Sequence, residues 1–199
     1  IYDIEGNVIA ELKRNENRVW IDYVDIPKNL INAYIAVEDK RFWEHKGVDF
    51  KRFIYAAFYS ARSYLTGEES LQGGSTITQQ MVKNLTGADD VTIKRKIQEM
   101  WQALKLEREG LSKEDILTRY LNTIPFGGTI YGIEIAAQAY YGKDVRELSL
   151  AECASLAGIT QWPSKYVPSS EENIKNNIER THMILGLMLE QGMITEAEY

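Results

Sequence analysis

The sequence predicts one mainly α-helical domain over residues 1–199, with a short N-terminal segment of strands. Two observations support this prediction: apolar residues recur at helical spacing after Asp25, and helix-start patterns precede several of these stretches. The start patterns place Ser or Thr three positions before an acidic residue or Gln: Thr76 and Gln79, Ser112 and Asp115, Ser149 and Glu152, Ser169 and Glu172. Glycines are expected to end helices at positions 47, 87, 110, 142, 158 and 192. The chain shows no internal repeat and no low-complexity linker, which favours a single domain.

Composition and charge exclude several classes of protein. Of the 199 residues, 44% are hydrophobic and 26% are charged, which is typical of an ordered globular domain. The single cysteine, Cys153, cannot form an intrachain disulfide, and with two histidines it cannot complete a four-ligand zinc site. A net charge of −6 gives no overall attraction to nucleic acid, so no nucleic-acid partner is expected. No stretch approaches the ~20 apolar residues that span a bilayer. The chain begins at Ile1 without a signal-peptide pattern, so we expect a piece of a longer protein.

The first elements are expected to be short strands within residues 1–24. β-Branched and aromatic residues flank a turn signal at residues 5–7, and a second such run follows at residues 18–21. Helices are expected from there on, because Asp25 is a suitable cap and Pro27 suits a first turn.

The first helix aligns one acidic residue with large apolar side chains. Its predicted face consists of Ile31, Tyr34, Ile35, Glu38, Phe42 and His45. A glutamate at the edge of such a face is usually solvated. Contact with aromatic surface would instead disfavour its charged form and suit Glu38 to act as a base near neutral pH. The pattern alone leaves both interpretations open.

The second helix, expected from Phe50 to Leu65 after a cap at Asp49, has an apolar face that fits two environments. That face consists of Phe50, Phe53, Ile54, Ala57, Phe58, Ala61, Tyr64 and Leu65. Packing in the protein core is one interpretation. Cations and tyrosines on the remaining surface also suit a helix in a lipid interface: Lys51, Arg52, Tyr55, Tyr59 and Arg62.

The next segment runs from a glycine pair at residues 73–74 into a helix start rich in polar side chains. Ile77, Met81 and Leu85 are expected to face the core, and another face displays Thr76, Gln80, Lys83 and Asn84. Hydroxyls, amides and a lysine at a helix N-terminus suit a phosphate or a sugar, but an ordinary polar cap explains the same pattern. The segment lacks the spacing of a phosphate-binding P-loop.

A further helix, expected near residues 91–109, contains a glutamate with two possible roles. Its predicted core stripe consists of Ile93, Ile97, Met100 and Leu104. Glu99 lies beside that stripe, four residues after Arg95, which is the spacing of a surface ion pair. Alternatively, Glu99 is the second carboxylate of an active site, accompanied by Arg95 and Lys96 as cations for a leaving anion.

Read together, five motifs resemble the signature motifs of the peptidoglycan glycosyltransferases. These are the glycosyltransferase domains of class A penicillin-binding proteins and the monofunctional transglycosylases. The first three motifs are Glu38-Asp39-x-x-Phe42-x-x-His45-x-Gly47, Gly74-Ser75-Thr76-Ile77-Thr78-Gln79-Gln80-x-x-Lys83-Asn84 and Arg95-Lys96-x-x-Glu99. The fourth is Lys113-x-x-Ile116-Leu117-x-x-Tyr120-Leu121-Asn122, followed by Phe126-Gly127 and Tyr131-Gly132. The last, Arg180-x-x-x-Ile184-Leu185, departs mildly, with isoleucine where valine is commoner. The motifs follow the family's order and cover nearly the whole chain.

This resemblance implies a lysozyme-like, mostly α fold. It has a larger head lobe and a smaller jaw lobe that dips into the outer face of the bacterial cytoplasmic membrane. Residues 50–72 would then contribute to the jaw lobe. The family is tethered by one N-terminal membrane helix, which here would end just before Ile1. In the class A proteins a transpeptidase domain follows, and the full-length protein is expected to have one at its C-terminal side.

The resemblance also implies a reaction and its site. Lipid II is the acceptor and a lipid-linked glycan chain is the donor, joined by a β-1,4 bond with inversion. Glu38 matches the general base. Glu99 matches a second glutamate, which either holds a divalent cation, Mg²⁺ or Mn²⁺, on the pyrophosphate or orients nearby cations. The matched positions expected to bind substrate are Asp39, Phe42, His45, Ser75, Thr76, Gln79, Gln80, Lys83, Asn84, Arg95, Lys96, Asn122 and Arg180. An antibiotic of the moenomycin type, which mimics the donor, is expected to bind.

Two other functions fit parts of the pattern. A lysozyme-like glycoside hydrolase or lytic transglycosylase would also use a carboxylate on a helix. It gives no reason for an apolar face directed at lipid or for cations around Glu99. A non-catalytic module that binds lipid or glycan would not need Glu38 for its task.

Overall fold

The computed structural model describes residues 19–66, 73–86 and 92–199. Helices dominate this part of the chain, which confirms the prediction of a mainly α fold. Its helices are α1 (Lys28–Glu38), α2 (Phe50–Thr66), α3 (Ile77–Thr86), α4 (Ile93–Arg108), α5 (Lys113–Thr123), α6 (Ile133–Tyr141), α7 (Leu150–Ile159), α8 (Pro163–Tyr166) and α9 (Glu171–Glu190). Strands β1 (Pro125–Gly127) and β2 (Ile130–Tyr131) form an antiparallel hairpin, and 3-10 helices occupy Tyr23–Asp25 and Val145–Glu147. Among these helices, none is both long enough and apolar enough to cross a bilayer.

The predicted N-terminal strand segment is only partly within the described residues. Residues 1–18 lie outside them. Residues 19–22 form no strand and the next three form a 3-10 helix, so the prediction is wrong there. The Ile21 backbone instead pairs with a side chain: its N–H donates to Asn122 Oδ1 at 2.8 Å, and Asn122 Nδ2 donates to its carbonyl at 2.8 Å. A buried amide on α5 thus takes the place of a neighbouring strand.

Most predicted helix starts are confirmed. Side chains cap their helices in the expected way at Thr76, Ser112 and Ser149, and Ser149 forms a reciprocal capping box. The predicted start at Ser169 is wrong by one residue, because Ser170 accepts from the backbone of Asn173 and caps α9. The predicted cap at Asp25 is also wrong, because that residue lies in the first 3-10 helix and α1 begins directly after Pro27.

Glycines end helices at three of the expected positions. Gly142 caps α6 in the left-handed conformation, and positive-φ glycines at positions 110 and 192 follow α4 and α9. Gly158 lies inside α7, against the Arg180 side chain, so the stop predicted there is wrong. Gly47 ends no helix either. It has φ +83°, and a Cβ there would lie 2.5 Å from the carbonyl oxygen of Ala103, so glycine permits close packing on α4. Position 87 is outside the described residues.

Two groups of helices form the core. α7 packs between α1 and α9, and α3 packs against α4 and α5. Six of the ten residues of α7 are buried, including Cys153, where burial raises the pKa of the thiol to about 12. The two groups meet beside the C-terminal end of α1, which is where Glu38 lies.

The predicted apolar faces of α2 and α4 are largely exposed rather than packed in this core. Phe50, Ile54 and Phe58 of α2 are exposed. In α4 the exposed face includes Ile93 and Ile97, Met100 and Leu104 are half-buried, and the buried positions are Glu99 and Ala103, so the predicted core stripe is wrong. Helical periodicity shows that a helix has two faces, and tertiary packing decides which one is covered. The same holds at the end of α3, where Ile77 and Met81 are buried as predicted and Leu85 is exposed.

Candidate active-site cleft

One cleft of about 1320 Å³ opens where the end of α1 meets α2, α3, α4 and α9. It brings together many of the residues singled out in the sequence. The predicted site residues that line it are Glu38, Ser75, Gln80, Lys83, Asn84, Arg95, Lys96, Glu99 and Arg180. The predicted site residues that do not line it are Asp39, Phe42, His45, Thr76, Gln79 and Asn122. The first group is available to a ligand, and the second is packed behind it.

Glu38, the last residue of α1, is half-buried in the cleft and held by a chain of hydrogen bonds. Gln80 Nε2 donates to Glu38 Oε2 at 2.8 Å, and the Tyr120 hydroxyl donates to Gln80 Oε1 at 3.1 Å. Burial, reinforced by the negative charge of Glu38, holds the pKa of Tyr120 well above its ordinary value. Tyr120 therefore keeps its proton, and its bond to Gln80 Oε1 is consistent with the Gln80 N–H facing Glu38.

The first turn of α2 is attached to the same glutamate. Arg52 donates to the Glu38 backbone carbonyl, which is one of the unpaired carbonyls at the end of α1. The turn itself is fixed by Asp49, which accepts from the Arg52 N–H at 2.9 Å and from Arg41 Nε at 2.9 Å. Burial alone would raise the pKa of Asp49, but the Arg52 N–H and the Arg41 guanidinium outweigh it and hold that pKa below its ordinary value. Arg52, one of the cations that also suit a lipid interface, is thus directed at the end of α1 and lines the cleft.

Behind the cleft, buried polar residues fix the start of α3. Asp39 is fully buried and accepts from His45 Nε2 at 2.9 Å and from the Ile77 N–H at 3.0 Å. Thr76 donates from Oγ1 to the Gly47 carbonyl at 2.6 Å. These contacts hold α3, and with it Gln80, at a set position relative to the end of α1.

Phe42 and His45 lie in the turn after α1, so their predicted place on the helical face is wrong. Phe42 is buried, with Lys113 Nζ 4.4 Å from its ring centroid.

The opposite side of the cleft is cationic. Glu99 is only 5% exposed and contacts two cations, Arg95 Nε at 2.8 Å and Lys96 Nζ at 3.3 Å. Lys96 also donates to Ser75 Oγ. Lys83, on α3, is exposed and lines the same cleft. Glu99 therefore forms the ion pair that its spacing predicts, but the pair lies in the cleft rather than on the outer surface, where it is also available to an active site.

Arg180 reaches the cleft from α9. Burial lowers the pKa of its guanidinium, and the nearby Tyr166 and Glu38 partly oppose that shift. Its Nε is buried, and no group in the described part of the chain accepts a hydrogen bond from it. A buried donor without an acceptor costs free energy, which a ligand anion would recover.

The donor set at Glu99 does not fit a protein-bound metal ion. Mg²⁺ and Mn²⁺ prefer several oxygen ligands. Within residues 19–66, 73–86 and 92–199, no three His, Cys, Asp or Glu side chains are grouped closely enough to bind a metal. Instead, Arg95 contacts Glu99 Oε1 and Lys96 contacts Oε2. These contacts support the role in which Glu99 orients cations.

Sequence reasoning did not single out two residues of this site. Tyr120 belongs to the fourth motif, and this membership was the clue in the sequence that Tyr120 contributes to the site. Arg52 gave no such clue, because its contact with the Glu38 carbonyl depends on how α2 leaves the turn at Asp49.

Comparison with known proteins matches the whole chain to one family. A family model described as Transglycosylase matches residues 5–189. The chain is 43% identical over 202 residues to Penicillin-binding protein 1A of Clostridium botulinum (strain Langeland), covering 100% of this chain and 24% of that protein. It is 44% identical over 202 residues to Penicillin-binding protein 1A of Clostridium perfringens (strain 13), covering 100% of this chain and 30% of that protein. The chain thus spans about a quarter of the length of these curated relatives.

A solved structure has the same fold. The crystal structure of Penicillin-Binding Protein 1A from Haemophilus influenzae matches with a TM-score of 0.53 and 24% sequence identity. The match covers 100% of this chain and 19% of that one.

Proposed function

The chain belongs to the transglycosylase family, and from that premise we propose that it is a peptidoglycan glycosyltransferase. It joins lipid II, the acceptor, to a lipid-linked glycan chain, the donor, through a β-1,4 bond with inversion at the donor's anomeric carbon. The observation that supports this best is the composition of one cleft. That cleft is lined both by a glutamate fixed for proton transfer, Glu38, and by cations suited to a pyrophosphate, Lys83, Arg95 and Lys96.

In this mechanism Glu38 is the general base. It takes the proton from the acceptor's 4-hydroxyl while the hydroxyl oxygen attacks the donor's anomeric carbon. Gln80 contacts Glu38 Oε2, which leaves Oε1 to accept that proton. The bond from the anomeric carbon to the pyrophosphate breaks on the opposite face, and its electron pair leaves with the pyrophosphate.

The cations of the cleft stabilise the leaving group. Negative charge grows on the pyrophosphate as the bond breaks, and fixed cations favour that state. Lys83 acts as a point charge, whereas Arg95 offers a planar set of donors. Glu99 orients Arg95 and Lys96, as their contacts suggest. Arg180, with its unpaired Nε, binds a further anionic group of the substrates.

The apolar surface of α2 supports a place at the membrane. Its exposed aromatic side chains and its cations are typical of a helix lying in a lipid interface. We therefore assign α2 to a jaw lobe at the outer face of the bacterial cytoplasmic membrane, beside a lysozyme-like head lobe. Because the chain spans only part of its relatives, an N-terminal membrane anchor and a C-terminal transpeptidase domain in the full protein are proposed as well.

Incubation with labelled lipid II in detergent separates this function from its rivals. A glycosyltransferase forms polymer, a hydrolase or lytic transglycosylase shortens polymer, and a binding module does neither. Calorimetry with a moenomycin-type antibiotic tests the donor site independently, and absence of binding would count against a pyrophosphate site.

Glu38→Gln should reduce polymerisation by about 10²–10⁴-fold, because the amide cannot accept a proton. The amide can still accept the bond from Gln80, so the melting temperature should not change. Glu44→Gln is the matched control, since Glu44 is exposed in the turn after α1 and does not line the cleft. Activity of Glu38→Gln within a few-fold of the parent protein would remove Glu38 from the base role.

A further inference from the structure

The outer face of α4 displays large apolar side chains to solvent. Ile93 is 83% exposed, Ile97 60% and Trp101 61%. Their spacing of four residues places them on one face of the helix. Three such residues in line form a contiguous apolar surface of the kind that usually meets a partner or a membrane.

The charges exposed on the same helix are all positive. Lys94, Lys105 and Arg108 are exposed, whereas the two glutamates of α4 are buried or paired. Glu99 binds its cations in the cleft, and Glu107 pairs with Lys113 at 2.9 Å. Although the chain has a net charge of −6, α4 is thus a basic amphipathic helix.

One aromatic side chain on this face lies beside a cation. Lys105 Nζ is 5.4 Å from the ring centroid of Trp101, and it also makes an exposed contact of 3.7 Å with Glu109. Tryptophan next to lysine is typical of the boundary between lipid and water. The contact surfaces of proteins are, in contrast, depleted of lysine.

The face also borders the active-site cleft. Ile93 lines the cleft on the α4 side, and Tyr55, an exposed residue of α2, lines it as well. Two helices with exposed apolar faces therefore contribute to the wall of one cleft. A substrate with a polyprenyl tail would have apolar surface on both helices near its entrance.

We propose that the outer face of α4, formed by Ile93, Ile97 and Trp101 with Lys94 and Lys105, binds the surface of an anionic lipid bilayer. It is a second lipid-contact surface in addition to α2. The inference rests on the proposed function, because a lipid-linked substrate brings this cleft to a membrane.

The test compares two double variants in vesicle co-sedimentation. Ile97→Gln with Trp101→Gln removes the apolar face of α4. Ile174→Gln with Ile178→Gln is the matched control, since these residues are likewise exposed and four positions apart, on α9. The vesicles contain phosphatidylglycerol and phosphatidylethanolamine, with pure phosphatidylcholine vesicles for comparison.

The α4 variant should bind anionic vesicles at least about tenfold more weakly than the parent, and the α9 variant within about twofold of it. Melting temperatures should fall by a similar, small amount in both variants, because the replaced side chains are largely exposed in each. Binding of the parent to phosphatidylcholine vesicles should be weaker, and added salt should reduce its binding to anionic vesicles.

Three results would overturn the inference. They are unchanged vesicle binding by the α4 variant, a large fall in its melting temperature, and conversion of a dimeric parent to a monomer, which would mean that a second copy covers the face. Polymerisation is measured separately on lipid II in detergent. A parent that binds vesicles through α4 but forms no polymer would contradict the proposed function and leave this inference standing. A parent that forms polymer but binds vesicles equally well after the α4 changes would contradict this inference and leave the proposed function standing.

Discussion

Phe53 and Phe58 of α2 distinguish packing in the core from contact with lipid. Replacing a fully buried phenylalanine by a small residue costs ~3–5 kcal/mol. Phe58 is 65% exposed, so Phe58→Ser should cost about a third of that, roughly 1–1.7 kcal/mol. Phe53 is 37% exposed, so Phe53→Ser should cost roughly 2–3 kcal/mol. Phe126, which is fully buried, gives the full-cost control in Phe126→Ser.

These costs convert to measurable shifts in melting temperature. At about 2–4 °C per kcal/mol for a domain of this size, Phe58→Ser should lower the melting temperature by about 2–7 °C and Phe126→Ser by about 6–20 °C. Scanning calorimetry measures the shift, and vesicle co-sedimentation measures lipid binding per folded molecule. Phe58→Ser should lose vesicle binding, Phe53→Ser should show both effects, and Phe126→Ser should lose stability alone. If both α2 variants lose as much stability as Phe126→Ser while vesicle binding stays unchanged, the apolar face of α2 packs in a core. That result would refute the proposal that α2 contacts lipid.

Three further changes test the cleft. Lys83→Ala should lower kcat/KM on lipid II while the melting temperature stays constant, because Lys83 is exposed; parallel losses would make it a structural residue. Arg52→Met should lower kcat by about tenfold with little change in KM, because it removes the hydrogen bond to the backbone carbonyl of Glu38 and so positions the general base less well. Arg52→Lys should retain part of the rate that Arg52→Met loses, and an unchanged kcat in Arg52→Met would contradict this role. Glu99→Gln should reduce polymerisation strongly, and titration with Mg²⁺ should not restore it if Glu99 orients cations; rescue by Mg²⁺ would show a metal-binding role instead.

Local sequence signals predicted the helix starts well because capping is a local interaction. The Ser149 side chain and the Glu152 backbone are three residues apart, so the pattern alone contains the whole interaction. The small errors at Ser169 and Asp25 arise because several adjacent residues there are able to cap, and the geometry of the preceding turn selects one of them.

The orientation of α4 was not predictable in this way. Its sequence shows one apolar face and one face with Glu99, and the core normally takes the apolar one. Here the loop at Gly47 approaches the backbone of Ala103, and Arg95 and Lys96 neutralise Glu99 on the inner side. The approach of Gly47 to Ala103 joins parts of the chain that are distant in sequence, so no local pattern encodes it. The β1–β2 hairpin was not predicted, because two very short strands give almost no alternating pattern in the sequence.

Much of the candidate site followed from the motifs, whereas its internal connections did not. The motifs identify the polar residues, and folding places many of them around one cleft. The bond from Tyr120 to Gln80 and the bond from Arg52 to the Glu38 carbonyl depend on helix packing that no local pattern encodes.

The direction of the hydrogen bonds at Glu38 favours a base over an acid. Tyr120 keeps its proton because burial and the charge of Glu38 raise its pKa, and it donates to the Gln80 oxygen while the Gln80 N–H donates to Glu38. Glu38 Oε2 accepts this bond, and the carboxylate keeps lone pairs on both oxygens that can accept a further proton. A glycoside hydrolase needs its catalytic acid protonated before reaction, whereas a glycosyltransferase base must begin as an acceptor. The Gln80 N–H holds the Glu38 side chain in place at the cleft, which suits a group that must accept a proton from a positioned hydroxyl. The cations around Glu99 then serve the other half of the same reaction, the departure of an anion.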